Sequence, residues 1–98
     1  MVQYRRARTP GGAYFFTVTL RDRRSSVLTD HIELLRKAVR RVRARRPFEI
    51  HAAVVLPEHM HHVWQMPEGD ADYSVRWQAI KARFTLELRK AGVGLTNE

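Results

Sequence analysis

The stretch Val54-Val55-Leu56-Pro57-Glu58-His59-Met60-His61-His62-Val63-Trp64-Gln65-Met66 decides how this chain is read. It closes one apolar run, Phe48 to Leu56, and opens another, His59 to Met66, with Pro57-Glu58 as the tight connection between them. Two such runs predict a β-hairpin. Alternate residues of a strand share a face, so His59 and His61 project side by side while Met60 turns the other way. Two neutral imidazoles at that spacing can hold one divalent ion, and an ion beside a phosphate polarises it for attack. The competing reading is a pair of half-buried histidines that satisfy hydrogen bonds. Whether the pair shares a side with Ile50 and Val54, or with His51 and Val55, turns on a slip of one residue. His62 points to the opposite face, toward packing or a hydrogen bond.

Upstream, Tyr14-Phe15-Phe16-Thr17-Val18-Thr19-Leu20 alternates to put Tyr14, Phe16, Val18 and Leu20 on one side, which predicts a strand. Residues 1 to 13 read as a basic arm that ends in the turn Pro10-Gly11-Gly12. Asp30 and Glu33 have the spacing of a capping box, and Leu28, Ile32, Leu35, Val39 and Val42 form one helical stripe. Arg36, Lys37, Arg40, Arg41 and Arg43 fall on the other half, either as a solvated face or as a surface for an anionic partner. Pro47 ends that helix.

Downstream, Pro67 to Tyr73 is an acidic loop, in which a carboxylate could complete a metal site or stay solvated. Ser74 can cap a last helix whose stripe is Trp77, Ile80, Phe84, Leu88 and Ala91. A second set, Val75, Ala79, Ala82 and Leu86, lies roughly opposite. A helix that covers a sheet needs one apolar stripe, so the second predicts a further layer, either another subunit or more chain. Ala91 to Glu98 reads as a helix stop and a loop.

Ninety-eight residues predict one domain with a single two-layer core, residues 1–13 as the arm and 14–98 as the α+β core. The chain has no cysteine, so disulfides and thiolate metal sites are excluded, and histidine and oxygen must supply any ligands. No apolar run approaches a membrane span, and the N-terminus lacks a signal-peptide core; the expectation is a cytoplasmic protein with no membrane partner. A net charge of +8 attracts polyanions, nucleic acid first among them. That charge is divided: no Lys or Arg lies between Pro47 and Val75, an interval with four of the five histidines and five carboxylates. A cation-compatible island between basic flanks suits an enzyme that seats a metal within a phosphate-binding surface. No Walker loop, Gly-x-Gly-x-x-Gly or internal repeat is present.

Five ordered blocks carry a resemblance: Tyr4-Arg5-Arg6; Pro10 to Val18; Pro47-Phe48-Glu49-Ile50; Val54 to Trp64; and Pro67 to Ser74 with Arg76-Trp77 and Ile80-Lys81. In this order they resemble the REP-associated tyrosine transposases, within the HUH single-strand nucleases named for His-hydrophobe-His, here His59-Met60-His61. The resemblance implies a ferredoxin-like antiparallel sheet with two helices packed on it. It also implies Mg²⁺ or Mn²⁺ on His59 and His61, and single-stranded or hairpin DNA as substrate, cut by a tyrosine that forms a phosphotyrosine link. In the family that tyrosine and a further metal ligand lie on a later helix. Tyr4, Tyr14 and Tyr73 match the arm, the first strand and the loop, so no catalytic tyrosine is assigned, and the C-terminal helix layer is expected to be missing.

DNA contacts are then expected from Arg5, Arg6 and Arg8 in the arm and from Arg76, Lys81 and Arg83 on the last helix. If the family's C-terminal layer is what covers Val75, Ala79, Ala82 and Leu86, its loss favours a homodimer through the last helix. Two further readings stay open: a non-catalytic DNA-binding remnant, and a basic ferredoxin-like interaction domain with structural histidines.

Overall fold

A computed structural model of the chain describes residues 2–8, as backbone, and residues 13–94 with their side chains. The elements run β1 (Val2–Arg8), β2 (Ala13–Leu20), α1 (Val27–Asp30), α2 (Ile32–Arg45), β3 (Glu49–Val55), β4 (His59–Gln65) and α3 (Tyr73–Lys90). The four strands form one antiparallel sheet in the order β1-β2-β4-β3, with β2 beside β4 rather than its chain neighbour β3. That crossover through α2, with the helices on one face, is the ferredoxin-like arrangement expected. Residues 2–8, expected as an arm, are instead a strand, paired from Val2↔Leu20 to Arg8↔Tyr14. The edge of β2 offers a ladder of backbone donors and acceptors, and a highly charged segment can occupy it because an edge strand needs no second partner.

The predicted alternation of β2 holds: Tyr14, Phe16, Val18 and Leu20 are buried. From β4, Met60, His62 and Trp64 face the same way. Trp64 is the centre of this layer, stacked on Trp77 of α3 at 4.4 Å, with Phe48 at 4.0 Å and Phe16 at 4.8 Å between ring centroids. Fully burying side chains of this size stabilises the fold by roughly 2–3 kcal/mol each, so the parity of β4 follows Trp64 and Met60. Leu35, Ala38 and Val42 of α2 and Trp77, Ile80, Phe84 and Leu88 of α3 close the core from the helix side, with Leu28 of α1 beneath them.

The helix starts differ from those expected. Asp30 does not cap the long helix; it ends the one-turn α1, where it accepts a hydrogen bond from Ser26 Oγ at 2.6 Å, and α2 begins after His31. Likewise α3 begins at Tyr73, one residue ahead of Ser74, after a turn in which the Asp72 N–H donates to Asp70 Oδ1 at 2.8 Å. Ala91 lies just past α3 and is exposed. There Gly92 takes φ of 78° and the Val93 N–H reaches back to the Leu88 carbonyl at 2.9 Å, the closure that a glycine permits at a helix stop.

Candidate metal centre

The hairpin places the histidine pair. Its turn is closed by the Leu56 N–H donating to the His59 carbonyl at 2.8 Å. Because Met60, His62 and Trp64 face the helices, His59 and His61 lie on the other face of β4. Neither pairing left open by the sequence is adopted in β3. Its register is Ile50↔Trp64 and then Ala52↔Val63, so His51 is the extra residue of a β-bulge. The bulge reverses parity within the strand: Ile50 and Val55 go to the helix side, opposite Trp64 and Met60, while Val54 goes to the side of His61. Across the sheet the row through the site runs Arg5, Thr17, His61, Val54.

On that face the two imidazole centroids are 5.1 Å apart, with the rings nearly perpendicular. Each ring has one nitrogen engaged. His59 Nδ1 is 2.5 Å from Glu58 Oε1; with Nδ1–H as donor in the neutral ring, its Nε2 carries the lone pair. His61 Nδ1 is 3.1 Å from Thr17 Oγ1; with Nδ1–H as donor, its Nε2 is also a lone-pair nitrogen. A carboxylate or hydroxyl on the far nitrogen is the outer support that metal-binding histidines use, and it orients the ring and raises its basicity. The pair therefore fits a divalent ion as two supported imidazole donors. Among the described residues, no group of three or more histidines and carboxylates completes a full ligand set.

Glu58 is held in turn. The hydrogen bond from His59 and then the Arg23 guanidinium, whose Nε donates to Glu58 Oε2 at 3.1 Å, keep its carboxyl below the usual range. Phe15 stacks on His61 at 5.7 Å between centroids and is 38% exposed, so an accessible aromatic borders the pair. Thr17, Glu58, Arg23 and Phe15 were not picked out as site residues in the sequence. Only the alternation of β2, which turns Phe15 and Thr17 away from the core, hinted at two of them.

His62 behaves as a core residue. Its Nδ1 accepts the Trp64 indole N–H at 3.0 Å, and burial, followed by the charge of His61, pushes its pKa down to about 4. Tyr14 and Tyr73 lie on the helix side of the sheet, packed against Phe16. The side chains of Tyr4, Arg5, Arg6 and Arg8 lie outside the described part of the chain. The loop carboxylate Asp70 is taken up elsewhere, by Arg76.

The expected DNA contacts on α3 do not gather at the pair. Arg76 is only 4% exposed. Its guanidinium donates to the carbonyls of Arg46, Pro47 and Asp72 at 2.9–3.1 Å and to both oxygens of Asp70 at 3.0 and 3.2 Å. It is a staple between the α2–β3 connection and the start of α3, with its donors spent inside the fold. Lys81 lines a cleft with Val18, Leu20 and Met60, on the helix side. Arg83 pairs with Glu87 at 3.1 Å along α3. Among the described residues, no helix is long and apolar enough to cross a membrane.

No protein-family model matches the chain. It is 56% identical over 85 residues, 87% of its length, to a REP-associated tyrosine transposase of Escherichia coli K12, and 44% identical over 90 residues, 92% of its length, to a putative REP-associated tyrosine transposase of Haemophilus influenzae. These alignments cover 52% and 51% of the relatives, so the chain spans about half the length of the curated relatives it matches. A solved structure of a REP-associated tyrosine transposase bound to a REP hairpin superposes with a TM-score of 0.76 at 52% identity, over 95% of this chain and 55% of that one.

Proposed function

Since the chain belongs to the REP-associated tyrosine transposase family, we propose that it is the portion that binds hairpin DNA and seats the metal for strand cleavage, with His59 and His61 as the metal donors. The observation that carries this reading is the pair itself: two adjacent imidazoles on the sheet face away from the helices, each with its Nδ1 supported. Mg²⁺ or Mn²⁺ bound there would supply Lewis-acid polarisation of the scissile phosphate. The chain's own residues supply orientation. Glu58 and Thr17 set the two rings, Arg23 holds Glu58, and Phe15 offers a surface on which an unpaired base can stack beside His61.

The attacking hydroxyl is not Tyr14 or Tyr73, because the sheet stands between those side chains and the histidines. That position favours a specific second reading, a DNA-binding portion that holds metal but does not cut by itself. Titrating Mn²⁺ into wild type and into His59→Ala and His61→Ala variants, then incubating each with a single-stranded hairpin oligonucleotide, tests both. The expected result is metal binding lost in either variant and hairpin binding without a covalent adduct. Equal Mn²⁺ binding by wild type and both variants would remove the metal site and favour structural histidines, and an adduct formed by this chain would refute the second reading.

A further inference from the structure

On the outside of the helix layer, away from the histidine face, α2 and α3 enclose a groove of about 640 Å³. Arg41 and Arg45 of α2, Arg46 just past its end and Arg83 of α3 border it, and Ala79, Ala82 and Leu86 of α3 line it. This groove takes in three of the four members of the second apolar set on the last helix, without Val75: Ala79 packs against the core, whereas Ala82 is exposed and Leu86 is 44% exposed. The acid nearest to hand is already neutralised, since Glu87 is buried and receives both Lys37 at 3.3 Å and Arg83 at 3.1 Å. Among the described residues Arg41, Arg45 and Arg46 enter no ion pair. Arg41 and Arg45 are one helical turn apart, about 6 Å along the axis, a spacing at which like charges repel.

We propose that this groove is a second DNA-contact surface, which grips the sugar-phosphate backbone of the double-stranded stem of the hairpin, separate from the sheet face at the histidines. The inference rests on the hairpin-binding reading above. Charge selects the occupant. A second copy of the chain docked on the same surface would bring two sets of unpaired arginines together, which a polyanion relieves. Chemistry selects the part of the DNA. Among the described residues no aromatic side chain lines the groove, so it offers no platform for unstacked bases, and arginines over a floor of small side chains suit phosphates read without regard to sequence. The sheet face, with Phe15 beside His61, has the complementary character.

The test measures affinity against salt concentration for the 98-residue chain with a hairpin, a stem-only duplex and an unstructured single strand. The variants are Arg41→Gln/Arg45→Gln and a charge-matched control, Arg21→Gln/Arg24→Gln, in the exposed β2–α1 connection. Each duplex phosphate contact contributes about 0.9 to the slope of log affinity against log salt, so the groove variant is expected to lose about 1.8 of slope on hairpin and stem alike. Its affinity should fall about tenfold or more at 0.1 M salt, with a smaller change on the single strand. Arg41→Lys/Arg45→Lys should keep the slope, since charge rather than the guanidinium fork carries it, and thermal melting of every variant checks folding. An unchanged slope in the groove variant, or an equal loss in the control, overturns the inference while leaving hairpin binding intact; wild type that binds no hairpin overturns both. A dimer mass in light scattering that reverts to monomer with Leu86→Asp would put a second copy in the groove and also overturn it.

Discussion

Replacing Arg76 with methionine separates two accounts of that residue. As a surface cation it would contribute to DNA affinity and little to stability. In the structure its guanidinium is buried under the α2–β3 connection and donates to the carbonyls of Arg46, Pro47 and Asp72. Methionine keeps much of the apolar stem but removes every donor, leaving three carbonyls without their charged partner. At about 1–1.5 kcal/mol for each, the loss is about 3–5 kcal/mol, with the lower end favoured because the variant no longer desolvates a cation. The bonds to Asp70 contribute less, because that carboxylate is partly open to solvent. For a chain of this size 1 kcal/mol shifts the melting temperature by about 4–8 °C, so a drop of about 12 °C or more is expected. Urea and thermal denaturation followed by circular dichroism measure it, with Arg76→Lys falling between, since lysine keeps the charge without the planar fork. If Arg76→Met melts within about 4 °C of wild type while its DNA affinity and salt slope fall, the staple is wrong and the surface reading is right.

Thr17→Val removes the hydroxyl that orients His61 while conserving shape, and is expected to weaken Mn²⁺ binding about tenfold with little change in melting temperature; unchanged binding in a calorimetric titration would show that Thr17 does not support the ring. Deleting His51 makes Ile50↔Trp64 and Ala52↔Val63 consecutive pairs, which removes the bulge yet leaves both faces of β3 in place, so the deletion should cost no more than about 1 kcal/mol in urea denaturation. A collapse of the fold would mean that the bulge carries more than parity. The hydrogen bond from Arg76 and then the Asp72 N–H hold the Asp70 carboxyl below its ordinary value. A carboxyl depressed on folding stabilises above its unfolded pKa, and that contribution is lost as the pH falls through the folded pKa. Asp70→Asn should therefore be less stable than wild type at neutral pH and lose less between about pH 5 and pH 2; parallel stability curves would refute this.

Much of the fold was legible because strand alternation and helical stripes are local. Tyr14 to Leu20, the α2 stripe and the Trp77 to Leu88 stripe all face the core as their spacing predicts. What escaped were features whose partners are distant in the chain. Residues 2–8 look like an arm until β2 offers an open edge. Arg76 looks like a surface cation until three carbonyls close around it, two of them 29 and 30 residues away in sequence. The arginines of α2 that border the exposed part of the second α3 set are likewise invisible from the α3 sequence alone.

At the histidine pair the division is sharp. Sequence alone determined that His59 and His61 share a face and that Met60, His62 and Trp64 take the other, because a strand has a period of two and the apolar members carry the burial energy. Tertiary structure decided what surrounds the pair. The register of β2 against β4 sets Thr17 opposite His61, and the bulge at His51 selects Val54 rather than Ile50 for that side. Register between strands and the placement of a bulge are settled by where backbones meet, a global packing outcome that no local period encodes.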